Sequence, residues 1–363
     1  MIGRHRVPLS APRIDPDAPR SRTAACVVVT TLILGPPEIP AMLSHRLFLS
    51  VLMLAPLLIG ADAPAPIHTR TFQFTYAAVV TGLKPGQTAR IWLPTAPSNA
   101  DQDASIISKE LPAEGKIGRD PQYDNQILYV EAKADADGRI PLKVVYKITR
   151  REVQGDGGTD VRENAELLAR YLKADAKVPI DGKPLEMLKG KNMPKDQMGA
   201  AKVIYDAIDD ALTYGKDKPG WGEGDSAWVC ESRTGNCTDF HSLFMSLARS
   251  RGIPAKFEIG FPLPEKHGAG DAPGYHCWAK FRPAGKGWVP VDISEANKHP
   301  EKREYYFGNL TEDRVAFSTG RDLTLVPRQD GGPVNFLIYP YVEVDGKVWP
   351  QIRIEKKFSY RDE

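Results

Sequence analysis

Cys237 stands where the polar stretch Arg-Thr-Gly-Asn meets the apolar, helix-periodic run TDFHSLFMSLARSRG. A thiol there can pack, hold a metal or act as a nucleophile. Asn236 is a good helix N-cap, because its side-chain oxygen accepts a backbone N–H of the first turn, and this predicts Cys237 at the first helical position. The unpaired N–H groups and the dipole at a helix start favour the thiolate, the reactive form of cysteine. A nucleophilic cysteine also needs a base, and the base needs a group to orient it. His276 lies in GYHCWAKF and Asp292 in GWVPVDIS, two strand-like runs joined by RPAGKG. An antiparallel hairpin with residues 282–286 as its loop pairs Phe281 with Gly287 and sets His276 directly opposite Asp292. Directly opposed residues share a face, so the carboxylate can hold the imidazole. One residue more or fewer in the loop sends Asp292 to the other face.

Other assignments compete for the same residues. His241, one helical turn after Cys237, is a second candidate base; His276 is preferred because it has a carboxylate to orient it, and His241 is expected to pack or line the helix flank. Asp239, in the first turn, complements the helix dipole and would oppose a thiolate if aimed at the sulfur. Cys230, Cys237, His241 and Cys277 form the one set that could hold zinc. The gap from Cys230 to Cys237 is too long for a CxxC knuckle, and Cys277 alternates away from His276, so neither metal nor cofactor is expected. A disulfide between Cys230 and Cys277 is the alternative use of those two thiols. A strand histidine can also be merely half-buried, and Asp292 can simply open a turn.

The elements that must position these residues follow from periodicity. Residues 66–150 contain TRTFQFTYAAVV, TARIWLP, QILYVEAKA and IPLKVVYKITRR, short alternating runs between turn residues, and predict a small β domain. ENAELLARYLKA and QMGAAKVIYDAIDDALTY space their apolar residues at three and four and predict helices. The helix after Cys237 presents Phe240, Leu243, Phe244 and Leu247 as one stripe and stops at Gly252 and Pro254. AKFEIGF, YHCWAKF and WVPVDIS predict strands. The Gly-rich GWGEGDSAW, with Trp221 and Trp228, and PLPEKHGAGDAPG predict surface loops that could rim a cleft.

Within 363 residues, Lys+Arg 48 against Asp+Glu 46 gives a formal charge of +2, and 42% apolar with 26% charged residues describes a globular protein. No basic stripe points to nucleic acid. The stretch MLSHRLFLSVLMLAPLLIGADAPAP from Met42 has a short basic opening, an apolar run too short for a comfortable membrane span and small residues at its end. That is a secretory leader, so export to the periplasm or medium, with no span left after processing, is expected. Residues 1–41 are expected to be an upstream extension outside the fold.

The residues GNCTDFHSLFMSLARSRGIPAKFEIGF, YHCWAKF and GWVPVDIS resemble the core of the transglutaminase-like superfamily. Its bacterial members carry a Gly-x-Cys at a helix start, a His-x-Trp strand and an Asp strand in this order, with an Arg-x-x-Gly-Ile-Pro-Ala segment after the helix. The resemblance covers about residues 200–300. It implies an α+β, papain-like core, a Cys-bearing helix packed on an antiparallel sheet and preceded by a small β domain. It also implies Cys237 as nucleophile, His276 as base and Asp292 as orienting acid, acting on amide bonds of a protein or peptide, a cell-envelope one included. A thioester on Cys237 would then pass to water or to an amine. Beyond the backbone N–H of Cys237, Trp228 and Tyr214 are the candidates for oxyanion or substrate contact. The expected organisation is leader 42–63, β-rich part 64–153, helical connection 154–200 and catalytic part 201–363. The alternative is a non-catalytic binding or scaffold protein of the same fold.

Overall fold

Phe72, Phe74, Tyr76, Ala78 and Val80 occupy every second position of strand β1 (Thr69–Thr81), and all five are buried while their neighbours stay half-buried. This computed structural model describes residues 66–155, 163–348 and 353–363. The expected extension 1–41 and leader 42–63 lie outside them. Strands β2 (Thr88–Pro94), β3 (Gln102–Glu110), β4 (Gly115–Arg119), β5 (Gln126–Lys133) and β6 (Ile140–Arg151) follow β1. Next come α1 (Ala165–Arg170), α2 (Gln197–Ala211), β7 (Thr213–Tyr214), α3 (Ser226–Ser232), β8 (Thr234–Gly235) and α4 (Cys237–Ser250). The remainder is β9 (Ala255–Pro262), β10 (Ala269–Asp271), β11 (His276–Phe281), β12 (Val289–Val291), α5 (Ile293–Lys298), β13 (Arg314–Thr319), β14 (Tyr341–Val344), β15 (Lys347–Val348) and β16 (Arg353–Asp362).

These strands build sheets of order β10-β16-β1-β6-β3, β15-β14-β2-β5-β4 and β12-β11-β9-β13, the last carrying the site. Sequence spacing sets a boundary near residue 153, and the chain crosses it again at its far end. There β16 pairs antiparallel with β1, and β14 pairs with β2. Residues 63–363 accordingly form one compact unit. Aromatic packing joins the sheets: Phe74 of β1 lies 5.2 Å from Phe261 of β9 and 5.6 Å from Phe317 of β13, ring centre to ring centre.

Helix α4 packs on β11 and β9, with α2, α3 and α5 against its other sides. Phe240, Leu243, Phe244 and Leu247 are fully buried, as their spacing predicts, each burial contributing about 1.5–3 kcal/mol. The burial nevertheless extends all round the helix, from Cys237 to Arg249. Its polar residues are enclosed because each finds a partner. Ser242 meets the Arg321 guanidinium, Ser246 donates to the Pro179 carbonyl, and Arg249 pairs with Asp175 at 2.6 Å and donates to the Ala255 carbonyl.

Candidate active site

Cys237 is the first residue of α4 and Asn236 its N-cap, as the sequence predicts. The Asn236 side chain accepts the Thr238 N–H at 2.8 Å, and Asp239 returns the bond by accepting the Asn236 N–H at 2.8 Å, a capping box. Asp239 does more than complement the dipole. Fully buried, it also accepts the N–H groups of Gly222 (2.7 Å) and Gly224 (2.9 Å), so its charge is spent tying the Gly-rich loop to the helix start. Gly235 is required here: a Cβ on it would lie 2.5 Å from the Asp239 Cβ.

His276 opens β11, and its Nε2 meets Asp292 Oδ2 at 2.8 Å. The hairpin that brings them together differs from the expected one. Phe281 pairs with Val289 rather than Gly287, so the connection is two residues longer. An even shift preserves the face. Asp292 has left the strand and is the N-cap of α5, its Oδ1 accepting from Ser294 Oγ and the Glu295 N–H, both at 3.2 Å. It reaches His276 from a helix cap, not from a directly opposed strand position.

Since Nε2 of His276 is committed to Asp292, Nδ1 is the ring nitrogen left to serve the neighbouring Cys237 sulfur. Burial alone would lower the His276 pKa, but the charge and hydrogen bond of Asp292, together with Cys237, raise it to about 10. Burial pushes the Cys237 thiol up, and hydrogen bonds from Cys277 and His276 with the nearby imidazole charges outweigh it, holding it well below the usual thiol range. Asp292 is likewise held far below the carboxylate range by His276 and Arg314 despite its burial. The two shifts run in the direction that favours a thiolate beside an imidazolium.

His241, the rival base, is fully enclosed and takes another part. Its Nε2 accepts the Ile293 N–H at 3.0 Å, so the ring proton sits on Nδ1, 3.8 Å from Cys277 Sγ. Burial brings its pKa down to about 4, which keeps it neutral. The Cys230–Cys277 disulfide is not formed: Cys230, Cys237 and Cys277 are all free. Cys230 donates to the Lys183 carbonyl at 3.4 Å, whereas Cys277 lies beside Thr238 and His241 under α4. Among the described residues the four candidate zinc ligands do not converge, and the Cys230 thiol, on α3, is turned to the Lys183 carbonyl.

Tyr214 pairs with Gly235 across the β7–β8 bridge and lies within electrostatic reach of Cys237. The Trp228 indole instead packs against Gly220 in the loop. Around the site stand Arg314, which carries no local sequence signal, Trp278, the tryptophan of the His-x-Trp strand, and Tyr275. Arg314, 22 residues beyond Asp292, donates from Nη1 to Asp292 Oδ2 at 3.0 Å and lies 4.9 Å over the ring of Trp278. Trp278 in turn donates to Glu258 at 2.7 Å. The Tyr275 hydroxyl accepts from Asn236 Nδ2 at 2.9 Å and meets Thr238 Oγ1 at 3.2 Å. Tyr275 adjoins His276 in sequence, and that adjacency was the one cue available.

His276, Asp292 and Glu295 also bring ligand atoms within 4.8 Å of one another. Asp292 already neutralises Arg314 and Glu295 pairs with Lys298, so a metal ion would have to displace both cations. The donor set suits proton transfer better than ligation. A similar grouping of His68, Glu152 and Glu312 has Glu152 engaged by the Tyr305 hydroxyl (2.8 Å) and Gln154 (2.7 Å).

The chain is similar to known proteins in sequence and in fold. A curated protein from Haemophilus influenzae, described only as uncharacterized, is 29% identical over 324 residues, spanning 77% of this chain and 86% of that one. A crystal structure from Cytophaga hutchinsonii, of a protein provisionally named a cysteine protease, superposes with a TM-score of 0.50 at 14% identity. It covers 82% of this chain and all of that one. Mixed helices and antiparallel sheets, with a sheet region ahead of the Cys-bearing helix, are thus a known fold. Residues 186–293, which contain Cys237, His276 and Asp292, match the transglutaminase-like superfamily and form a domain of that superfamily.

Proposed function

We propose that the protein is an exported thiol enzyme that acts on amide bonds of proteins or peptides, with Cys237, His276 and Asp292 in a papain-like relay. One observation carries the reading: a cysteine at a helix N-terminus, beside a histidine whose Nε2 is held at 2.8 Å by a buried carboxylate. In this reading the Cys237 thiolate adds to the carbonyl carbon, and the oxyanion meets the Cys237 backbone N–H and the Tyr214 hydroxyl. As the C–N bond breaks, the proton on His276 Nδ1 passes to the departing amine, leaving a thioester on Cys237. Water or an amine then adds to the thioester, giving up a proton to His276, and the thiolate leaves. Hydrolysis is the preferred second step. The provisional name of the Cytophaga protein runs in the same direction, and export rests on the leader-like sequence from Met42.

The first test is the alkylation rate of Cys237 against pH, with peptide mapping, in wild type and His276→Ala. A thiolate titrating well below the reference value of about 8.5 and lost in the variant supports the relay and justifies a screen of amide substrates with and without added amine. Cys237 is only 2% exposed, which a non-catalytic binding protein of this fold would share. An ordinary thiol indifferent to His276 would favour that second reading.

A further inference from the structure

Beside His276 lies a cavity of about 370 Å³. Its wall includes Arg314, whose side chain is 4% exposed and makes one hydrogen bond among the described residues, Nη1 to Asp292. Its Nε is buried without a partner. A guanidinium carries five N–H donors, and an enclosed donor left unmade costs about 1–3 kcal/mol. The acids of the same wall are already answered. Glu265 pairs with Lys302 at 2.7 Å, Asp313 with Arg70, and Glu295 with Lys298. Among the charged side chains of the wall, Arg314 is the one with a buried donor left without a partner.

The position of the cavity gives this donor a use. His276 lines it and Cys237 does not. In acyl transfer to a thiolate, the imidazole hands its proton to the departing amine, so the amine component of the substrate must lie on the His276 side. From this juxtaposition we infer that the cavity is a leaving-group subsite that takes a carboxylate on the residue following the scissile amide, with Arg314 as its anchor. This rests on the thiol-enzyme reading above and names part of its substrate. The carboxylate is either the free C-terminus of that residue or an acidic side chain. Either source offers the planar acceptor that a guanidinium matches.

Binding to the Cys237→Ala protein tests the subsite without requiring turnover. The probes are N-acetylglycine, whose amide stands for the scissile bond, its carboxamide N-acetylglycinamide, and N-acetyl-aspartate α-amide, with affinities from saturation-transfer NMR. N-acetylglycine should bind about tenfold or more tightly than the carboxamide, as expected of one charge-assisted hydrogen bond. The α-amide of N-acetyl-aspartate separates a side-chain carboxylate from a terminal one: binding like the acid assigns the side chain, binding like the carboxamide assigns the C-terminus. In the Cys237→Ala, Arg314→Lys protein the preference should collapse while the thermal midpoint holds. Should that variant fail to fold, the side-chain ¹⁵N resonances of Arg314 in the Cys237→Ala protein serve instead, shifting with N-acetylglycine and staying in place with the carboxamide. Equal binding of acid and carboxamide, binding of neither near the solubility of the acid, or a preference that survives Arg314→Lys would overturn the inference. Because the readout is binding to an inactive variant, an unreactive Cys237 would sink the enzymatic reading separately.

Discussion

Asp292 has a histidine on either side, and the two could hardly be treated more differently. His276, on the strand side, meets Oδ2 at 2.8 Å and is raised to about 10. His241, on the α4 side, stands 3.7 Å from Oδ1 and falls to about 4. Burial is common to both and pulls both down, so burial is not what selects the base. A direct bond to the carboxylate, plus a thiolate on the other nitrogen, outweighs desolvation at His276. At His241 the ring nitrogen that might have taken the carboxylate accepts the Ile293 N–H instead, and the longer-range attraction of Asp292 is insufficient. Nearness to an acid makes a base only when the ring donates to it.

Substitutions at the two rings should expose this contrast most sharply. Once a substrate is known, His276→Ala should lower kcat/KM by about 10²–10⁴-fold. Asp292→Ala should cost about one to two orders of magnitude less, because it orients the base rather than moving the proton. A larger loss at Asp292 than at His276 would show the roles to be misassigned. His241→Gln, which keeps an acceptor for the Ile293 N–H, should leave Cys237 alkylation within a few-fold of wild type, and a collapse of reactivity there would make His241 the base.

The pH responses should run in opposite senses. For His276 the folded pKa lies above the unfolded value of about 6.5, so its share of stability is full below that value and is lost as pH rises towards about 10. The rise of ion-pair reactivity with pH should likewise end near 10, where the imidazolium is lost. For His241 the folded pKa lies below the unfolded one, so the unfolded chain takes up a proton that the fold refuses, and stability falls as pH drops from about 6.5 towards 4. Chemical denaturation of wild type and His241→Gln over that acid window checks this, and parallel curves would remove His241 from the account. The smallest effect belongs to His241→Phe at neutral pH, which orphans the Ile293 N–H and should cost about 1–3 kcal/mol in the same measurement.

What the sequence revealed of the site was local. Asn236 as cap, Cys237 at the helix start and the approach of Asp292 to His276 all follow from spacing within one element or one hairpin. The hairpin register was wrong by two residues, an error that alternation forgives and that an odd shift would not have. What stayed hidden depends on partners far along the chain. The hydroxyls of Ser242 and Ser246 suggest a solvated helix face, and only Arg321 and Pro179 explain their burial. Arg314 is an ordinary cation in EDRVAFS until β13 lays it against Asp292 and Trp278. The Cys230–Cys277 pairing that the sequence left open does not form, and thiol counting carries no geometry that could have decided it.

The pairing of β16 with β1 has a consequence for how the chain is made. Arg70, fully buried at the start of β1, is gripped through Nε and Nη2 by Asp362 at 2.8 and 2.9 Å, a partner 292 residues further on. The same guanidinium holds Asp313, which closes one wall of the cavity beside His276. A nascent chain emerging in order displays Cys237 long before the strand that completes the first sheet exists. Loop closure over so long a separation comes late. The fold around Cys237 is thus finished only when β16 arrives, and until then the frame that holds Asp313 and the cavity wall is incomplete.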